Sequence, residues 1–470
     1  MGIRPFIKQR LGLDSLNDVL LGKPVGEDVN WLFTLGSLSL LLFMVQAVTG
    51  TVLAFYYVPS PDYAYQSMEY IVRDVTLGGV IQGIHHWAAS AMVIVVVLHM
   101  MRTFFFGSYL APRELTWIVG VLLLVATLAF GFTGYLLPWD QKAYWATVIG
   151  TSVPKDIPII GPYITRLLRG GEEVSALTLS RFYSVHMLIL PACMMLFVGL
   201  HIYLIRLHDM AGHWREDHPG KSRKHPFFPY SMFKDSVVFT AVFALILVLA
   251  LVAPPEREEI AGTLDPAYQP RPEWYFMWLF QLLKYFEGKF EAVGSLVIPG
   301  IGFLLLLILP FLGRNRSRNP ADRPLVSALV VTAFLALVYM SFLGAADSYL
   351  PYGKVATIPD RPLHPKEVKG VQVFVDKDCA YCHHILGRGG RREGPDLSNV
   401  VAKDRSKEWL IRFIRDPKSV NSWSVMPKYD FTQDELEALA QYILALDFDT
   451  YHPRLVDRQK VLEGRIPVKQ

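Results

Sequence analysis

Residues 84–106 read IHHWAASAMVIVVVLHMMRTFFF, an apolar run long enough to cross about 30 Å of hydrocarbon as a helix, yet it carries histidines at 85 and 99. At about 100° per residue, an interval of 14 returns to nearly the same helix face, about 21 Å further along the axis. A second run, near 183–205, carries His186 and His201, 15 residues apart, again on one side with one near each membrane surface. Ionisable groups are expensive in hydrocarbon without a partner. A lone intramembrane histidine is more often a satisfied core residue; two matched pairs on two helices point instead to a pair of stacked cofactors clamped between them. Imidazole from each side is an iron ligand set that a haem accepts. Gly36 and Gly50, and Gly120 and Gly134, repeat the interval of 14 in the runs on either side. Glycine leaves bare backbone, beside which a flat macrocycle can lie. The reading is a four-helix dihaem core with His85, His186, His99 and His201 as the candidate iron ligands.

Outward from that core, apolar runs recur near 31–57, 84–106, 115–137, 183–205, 236–254, 295–312 and 325–344, so the fold class is all-α, a membrane bundle of about seven or eight helices. Composition agrees: hydrophobic residues make up 52% of the 470 and charged residues 19%, which excludes an ordinary soluble globule. Lys and Arg number 46 against 42 Asp and Glu, too even for a nucleic-acid binder. An odd number of spans puts the chain ends on opposite sides. Lys and Arg cluster on the side of the N-terminus, at Arg4, Lys8, Arg10 and Lys23, at Arg102 and Arg113, at Arg215, Lys221, Arg223 and Lys224, and at Arg314, Arg316, Arg318 and Arg323, which makes that side cytoplasmic. The first 30 residues lack a cleavable-signal pattern, so the first span reads as a signal anchor. Stretches 138–180 and 255–294 are too polar to span and lie on the outer face.

The expected organisation is a cytoplasmic segment 1–29, the dihaem core 30–210, a cytoplasmic loop 211–235, further membrane helices 236–346, a linker 347–366, a soluble domain 367–450 and a tail 451–470. The soluble domain carries Cys379-Ala380-Tyr381-Cys382-His383, the pattern of covalent c-type haem attachment with His383 as an axial ligand. A zinc site would need further ligands, and no cysteine follows Cys382. Met426, in Ser424-Val425-Met426-Pro427, is the candidate sixth ligand; the alternative is a core methionine, but its polar context and the following proline favour ligation. The separation of Met426 from the haem motif, and Gly394-Pro395-Asp396-Leu397, resemble class I cytochromes c. Covalent haem attachment takes place outside the bacterial cytoplasm, in agreement with the charge-derived topology. Cys193 reads as a small buried apolar residue.

Residues 30–345 resemble cytochrome b of the quinol-oxidising cytochrome bc complexes. The resemblance rests on the four histidines and four glycines, on Gly134-Tyr135-Leu136-Leu137-Pro138-Trp139-Asp140-Gln141, on Arg181-Phe182 and on Pro272-Glu273-Trp274-Tyr275. It implies that His85 and His186 hold a haem near the outer face, that His99 and His201 hold one near the cytoplasm, and that Arg181 belongs to the cofactor-binding set. Quinol oxidation releases two protons and two electrons, so its site needs a base and an apolar pocket. Glu273, between Pro272 and the aromatic run Trp274, Tyr275 and Phe276, suits the base, although a surface glutamate at a helix start is common. The family implies quinol binding at Glu273 with Tyr275 lining the pocket, and Pro138, Trp139 and Asp140 are candidates for its opposite wall. Arg206, Lys234 and Asp235 are candidates for an inner quinone site, though such residues are also ordinary interfacial chemistry. Thr34 stands where one branch of the family carries a cysteine tethering a further haem, while the 15-residue spacing on the fourth span resembles that same branch.

The function expected is that of a fused cytochrome b and cytochrome c subunit of a quinol:electron-acceptor oxidoreductase, holding two haem b and one haem c in a bacterial cytoplasmic membrane. No Rieske cluster pattern is present, so a separate Rieske iron–sulfur protein is an implied partner, with membrane lipids, quinone and a soluble or membrane-bound electron acceptor. The family resemblance implies a homodimeric complex that translocates protons. A dihaem anchor linking the quinone pool to a dehydrogenase is the alternative, and a mere redox tether a third; neither has a place for Pro272–Tyr275.

Overall fold

Long uncharged runs leave the backbone no partner but itself, and each becomes a helix. Among the residues described by the structure, a computed structural model, seven helices are long and apolar enough to cross a membrane: α1 (Trp31–Ala54), α2 (Gly78–Phe105), α3 (Glu114–Tyr135), α4 (Ala176–His208), α5 (Phe227–Val252), α6 (Val293–Phe311) and α7 (Pro324–Ala346). The described residues are 24–26, 30–208, 211–212, 224–261, 271–286, 290–312, 317–346, 355–386, 388–389, 394–398, 400, 405–421, 424, 426–448 and 450–466. Most of the segment 1–29, the loop residues 213–223, Arg314, Arg316 and the linker residues 347–354 lie outside them. Several helices outrun their apolar runs, because backbone hydrogen bonding does not stop where hydropathy does. α2 begins at Gly78, directly after Leu77 in a left-handed conformation. A Cβ on Gly78 would sit 1.9 Å from the Ile71 carbonyl oxygen, so only glycine fits this turn out of the preceding surface helix Ala64–Arg73.

The chain divides into two units, of which the first comprises residues 1–143, 178–258 and 301–334. Within it α1 packs on α2, α3 on α4, and α5 on α1 and α2. Leu42, Ala88, Met194 and Ile246 are buried at its centre. α2 and α5 meet at Gly83, where a Cβ would lie 2.9 Å from that of Ala250. Large apolar side chains such as Leu196, Leu251 and Leu329 point outward, the surface of a multi-pass membrane protein. Polar ties close the ends of the bundle: Tyr57 donates to the Leu137 carbonyl at 2.7 Å, Trp87 to that of Ala253 at 2.9 Å and, at the other end, buried Arg323 to Tyr109 at 2.6 Å. A short antiparallel ribbon joins β1 (Pro24–Gly26) to β2 (Lys224–Pro226).

The second unit comprises residues 144–177, 259–300 and 335–470. Buried Arg169 donates to Thr151, Val148 and Glu172 at 2.7, 2.8 and 3.0 Å and so ties the surface helix Gly161–Arg169 into place. Gly344 of α7 lies against Met277, leaving 2.8 Å for a Cβ, which seats the short helix Met277–Leu283. In the soluble domain β3 (Val355–Pro359) precedes α8 (Pro365–Asp376), followed by a two-residue pair, β4 (His384–Ile385) with β5 (Arg388–Gly389). Then come α9 (Lys407–Arg415), α10 (Gln433–Ala445), β6 (Pro453–Asp457) and α11 (Arg458–Leu462). α8 crosses α10 at Gly370, where a Cβ would stand 2.1 Å from the Ala438 carbonyl oxygen. Phe374 and Tyr442 meet edge to face beside that crossing, and the Tyr442 hydroxyl donates to the Thr357 carbonyl at 2.8 Å. Thr432 and Glu435 form a capping box that starts α10. β3 pairs antiparallel with β6, and the core runs from Ala356 and Ile358 through to Val456, Val461 and Ile466. Residues 355–366 and 453–466 therefore pack as part of this domain, although the sequence reads as linker and tail there.

Candidate redox sites

The four histidines of the first unit form two pairs, His85 with His186 and His99 with His201, between α2 and α4. The His99 and His201 ring centres lie 6.4 Å apart. Two metal–nitrogen bonds of about 2 Å, plus about 1 Å from each nitrogen to its ring centre, give about 6 Å, so the gap fits one iron between two imidazoles. His85 and His186 are likewise electrostatic neighbours.

Each glycine of the repeated interval faces one of these rings. A Cβ would lie 3.1 Å from His99 Cε1 at Gly36, 3.1 Å from His85 Cε1 at Gly50, 3.4 Å from His201 Cε1 at Gly120 and 2.6 Å from His186 Cε1 at Gly134. The sequence suggested room for a macrocycle; the room is used first by the imidazole itself. On α4 the 15-residue spacing is absorbed by a π-helical turn over Val185–Ile189, in which the Leu190 amide bonds to the Val185 carbonyl. One residue taken up in that turn leaves the same rotational offset as 14 residues of regular helix.

His85 Nδ1 is 2.8 Å from Thr49 Oγ1 and His186 Nδ1 is 2.9 Å from Thr133 Oγ1. Gln46 also donates to the His85 carbonyl at 2.7 Å. His99 and His201 have buried Nδ1 atoms without a hydrogen-bond partner in the described residues. One turn beyond His99, Arg102 is half-buried with its guanidinium 4.4 Å from the Phe33 ring centre, and its buried Nε too has no hydrogen-bond partner among the described residues. A partly buried cation of this kind favours a nearby anion, a role the carboxylates of a haem could fill. Thr49, Thr133 and Arg102 went unmarked in the sequence beyond the topological charge of Arg102. Thr34 donates to the Trp31 carbonyl at 2.7 Å. Arg181 is exposed on α4, five residues before His186.

At the end of α3, Trp139 has a positive φ of 55° and is buried; its amide bonds to the Leu136 carbonyl at 3.1 Å. This turn drives Asp140 inward, where its carboxylate accepts from the Ala143 amide at 2.8 Å. Asp140 thus caps the helix Gln141–Ser152, and burial raises its carboxyl above the ordinary range. Pro138 is half-buried beside it.

In the second unit, Pro272, Glu273 and Tyr275 are half-buried while Trp274 is 44% exposed. Glu273 stands at the start of the turn Trp274–Phe276, as either reading of it requires, and its side chain does not cap the turn. Tyr275 packs edge-on against both Trp274 and Phe276. Burial, then the charge of Glu273, push the Tyr275 hydroxyl upward, so it stays a neutral donor. At the His99–His201 end of the first unit, Asp235 accepts from Ser37 and Arg206 lies over the Phe227 ring at 5.8 Å. Lys234 is half-buried on the same turn as Asp235.

In the soluble domain a 3₁₀ turn over Cys379–Tyr381 brings the His383 amide to the Cys379 carbonyl at 3.0 Å. His383 Nδ1 lies 2.9 Å from the Pro395 carbonyl oxygen, so Nδ1 carries the proton and Nε2 is left with the lone pair a metal needs. Gly394 lies so close to this ring that a Cβ would be 2.5 Å away. Burial holds His383 below its ordinary value and pushes the Cys379 thiol up to about 12, so the imidazole is neutral and the thiol protonated. Met426 and Cys379 pack against the same core. The donor sets at all three places fit haem. Among the described residues no group of three or more His, Cys, Asp and Glu is arranged to hold a bare metal ion.

Residues 20–209 match the family described as cytochrome b/b6/petB, residues 261–359 that of cytochrome b(C-terminal)/b6/petD and residues 367–447 that of cytochrome c. The chain is 36% identical over 330 residues, 69% of its own length and 77% of the relative's, to the cytochrome bc complex cytochrome b subunit of Chlorobaculum thiosulfatiphilum. It is 43% identical over 207 residues, 44% of this chain and 95% of the relative, to cytochrome b6 of Prochlorococcus marinus strain MIT 9515. A solved structure described as a hyperthermophilic respiratory complex III is similar with a TM-score of 0.65 and 27% identity, over 80% of this chain and 96% of that one.

Proposed function

The chain belongs to the cytochrome b family of bc-type complexes and carries a cytochrome c domain, and on that premise we propose that it is the b/c subunit of a quinol:electron-acceptor oxidoreductase. The observation that carries the reading is the double histidine clamp, with a glycine against every ring and a gap of 6.4 Å at His99–His201. His85 with His186, and His99 with His201, would each hold a haem b, and Arg181 and Arg102 would take haem carboxylates. Cys379 and Cys382 would attach a haem c through thioethers, and His383 and Met426 would hold its iron. When bound, these groups supply one-electron relays, two across the membrane and one in the soluble domain.

Quinol oxidation yields quinone, two protons and two electrons. Glu273 would receive a proton at the outer face, with Tyr275 as a neutral hydrogen-bond donor to the quinol and Pro272 and Trp274 shaping the turn that presents them. Pro138, Trp139 and Asp140 are proposed as quinol-facing residues at the end of α3. Asp235, Lys234 and Arg206 would bring protons to a quinone reduced at the opposite, cytoplasmic face. Protons released outward and taken up inward amount to translocation. One electron of each quinol must leave to a partner, for which a Rieske iron–sulfur protein is proposed, within a homodimeric complex of a bacterial cytoplasmic membrane. A dihaem anchor for a dehydrogenase would leave Glu273 and its aromatic turn without a role.

The test is Glu273→Gln in the assembled complex. Quinol oxidation should fall at least tenfold with b and c haem content intact, since general base catalysis contributes about 10²–10⁴-fold. Unchanged turnover would overturn the assignment.

A further inference from the structure

The two histidine pairs differ in what stands behind them. Thr49 directly precedes Gly50 and Thr133 directly precedes Gly134, whereas the residues preceding Gly36 and Gly120 are Leu35 and Val119. A threonine hydroxyl has a single proton. Thr49 is 2.7 Å from the Val45 carbonyl oxygen and Thr133 is 2.8 Å from that of Ala129, so each gives its proton to the preceding turn of its own helix. Toward the imidazole each Oγ can then only accept. His85 and His186 are therefore held as Nδ1–H tautomers with Nε2 free for iron. At the other pair no side chain does this. His99 Nδ1 and His201 Nδ1 have no hydrogen-bond partner in the described residues. A backbone carbonyl stands near one ring of each pair, Phe130 at His186 and Thr116 at His201, so what distinguishes the pairs is the two hydroxyls.

An acceptor on Nδ1–H makes the ring a stronger donor at Nε2, which favours ferric over ferrous iron. We propose that Thr49 and Thr133 are positioning residues that fix the tautomer and orientation of His85 and His186 and make iron bound there harder to reduce than iron bound at His99–His201. The sequence thus sets up a downhill step from one end of the bundle to the other with two hydroxyls. This rests on the reading that each pair holds a haem b.

Redox titration of the two b haems in the purified complex, each followed by its own EPR signal, tests the proposal with Thr49→Val and Thr133→Val, which keep shape and lose the acceptor. Removing one acceptor should shift the ratio of reduced to oxidised iron at the His85–His186 site about tenfold toward reduced, equal to about 59 mV for one electron, and leave the other haem unmoved. Thr49→Ser and Thr133→Ser, which keep the hydroxyl, should titrate as wild type. Valine variants with both haems at wild-type potentials would overturn the proposal, as would an equal shift of both haems. Should the valine variants lose that haem, its retention at the wild-type potential in the serine variants supports the hydrogen bond, and its loss there too assigns the effect to packing and overturns the proposal. Two b haems absent from the wild-type protein would instead sink the haem reading on which the proposal stands.

Discussion

Replacing the four ring-facing glycines by alanine should produce a graded series. At Gly120 the added methyl would lie 3.4 Å from His201 Cε1, an ordinary contact. At Gly36 and Gly50 it would lie 3.1 Å from His99 and His85, so each ring must yield by a few tenths of an ångström. At Gly134 it would lie 2.6 Å from His186 Cε1 and 3.2 Å from both ring nitrogens. Reaching the separation found at Gly120 would take a displacement of about 0.8 Å, the difference between 3.4 and 2.6 Å. His186 has little freedom to make it, because Thr133 holds Nδ1 at 2.9 Å and Phe130 packs edge-on with ring centres 5.3 Å apart. Overpacking of this kind costs about 1–3 kcal/mol, and here it would also displace His186, a proposed iron ligand. The assay is the ratio of extractable b haem to covalent c haem, the c haem serving as internal standard. Gly120→Ala should keep two b per c, Gly36→Ala and Gly50→Ala should keep most, and Gly134→Ala should lose the haem of His85–His186. Equal losses at Gly120 and Gly134 would refute the reasoning, because distance to the ring would then decide nothing.

The π-turn of α4 makes a second prediction: deleting Leu188, which is 70% exposed, should convert Val185–Ile189 to regular helix and leave both b haems bound. Deleting Val198 from the regular part of α4 should instead rotate His186 against His201 by about 100° and cost at least one b haem, and equal haem loss in both deletions would count against the turn as a spacer. A third prediction concerns acid stability of the soluble domain. Burial alone would raise the Glu367 carboxyl, but both Arg361 bonds at 2.9 Å and the His364 amide at 2.8 Å outweigh it and hold it below its ordinary value of 4.5. The charged form is therefore favoured by folding, and its contribution is fully present above pH 4.5 and is lost as pH falls through the depressed value. Glu367→Gln should be less stable than the wild type at neutral pH and lose stability less steeply below pH 4.5, read from c-haem absorbance; an unchanged acid limb would show that the pair contributes nothing.

Periodicity reveals which residues share a helix face, and that is why the seven spans and the histidine and glycine intervals could be read from the chain alone. It does not reveal what the face meets. The glycines recur at the histidine interval because they face the rings, and this depends on the pairing of α1 with α2 and of α3 with α4. The two threonines were hidden for a related reason. Thr49 does what threonine ordinarily does in a membrane helix and bonds back to Val45, so nothing in its own helix marks it; only its second contact, to a histidine 36 residues further on, gives it a task. Asp140 is legible as a helix cap from its place before Gln141–Ser152, a role compatible with the quinol-facing one proposed for it. The edges of the soluble domain were missed because β3 and β6 are five-residue strands whose pairing partners lie about a hundred residues apart, as with Val355 and Asp457, and no local pattern announces such a pair. Arg102 shows the same limit most sharply. In the sequence it counts as one of many positive charges on one side of the membrane; its need for an anion appears only once Phe33 is seen to cover it. Its Nε is buried without a hydrogen-bond partner among the described residues, one turn beyond His99, and that placement is the ground for proposing that it takes a carboxylate of the group held there.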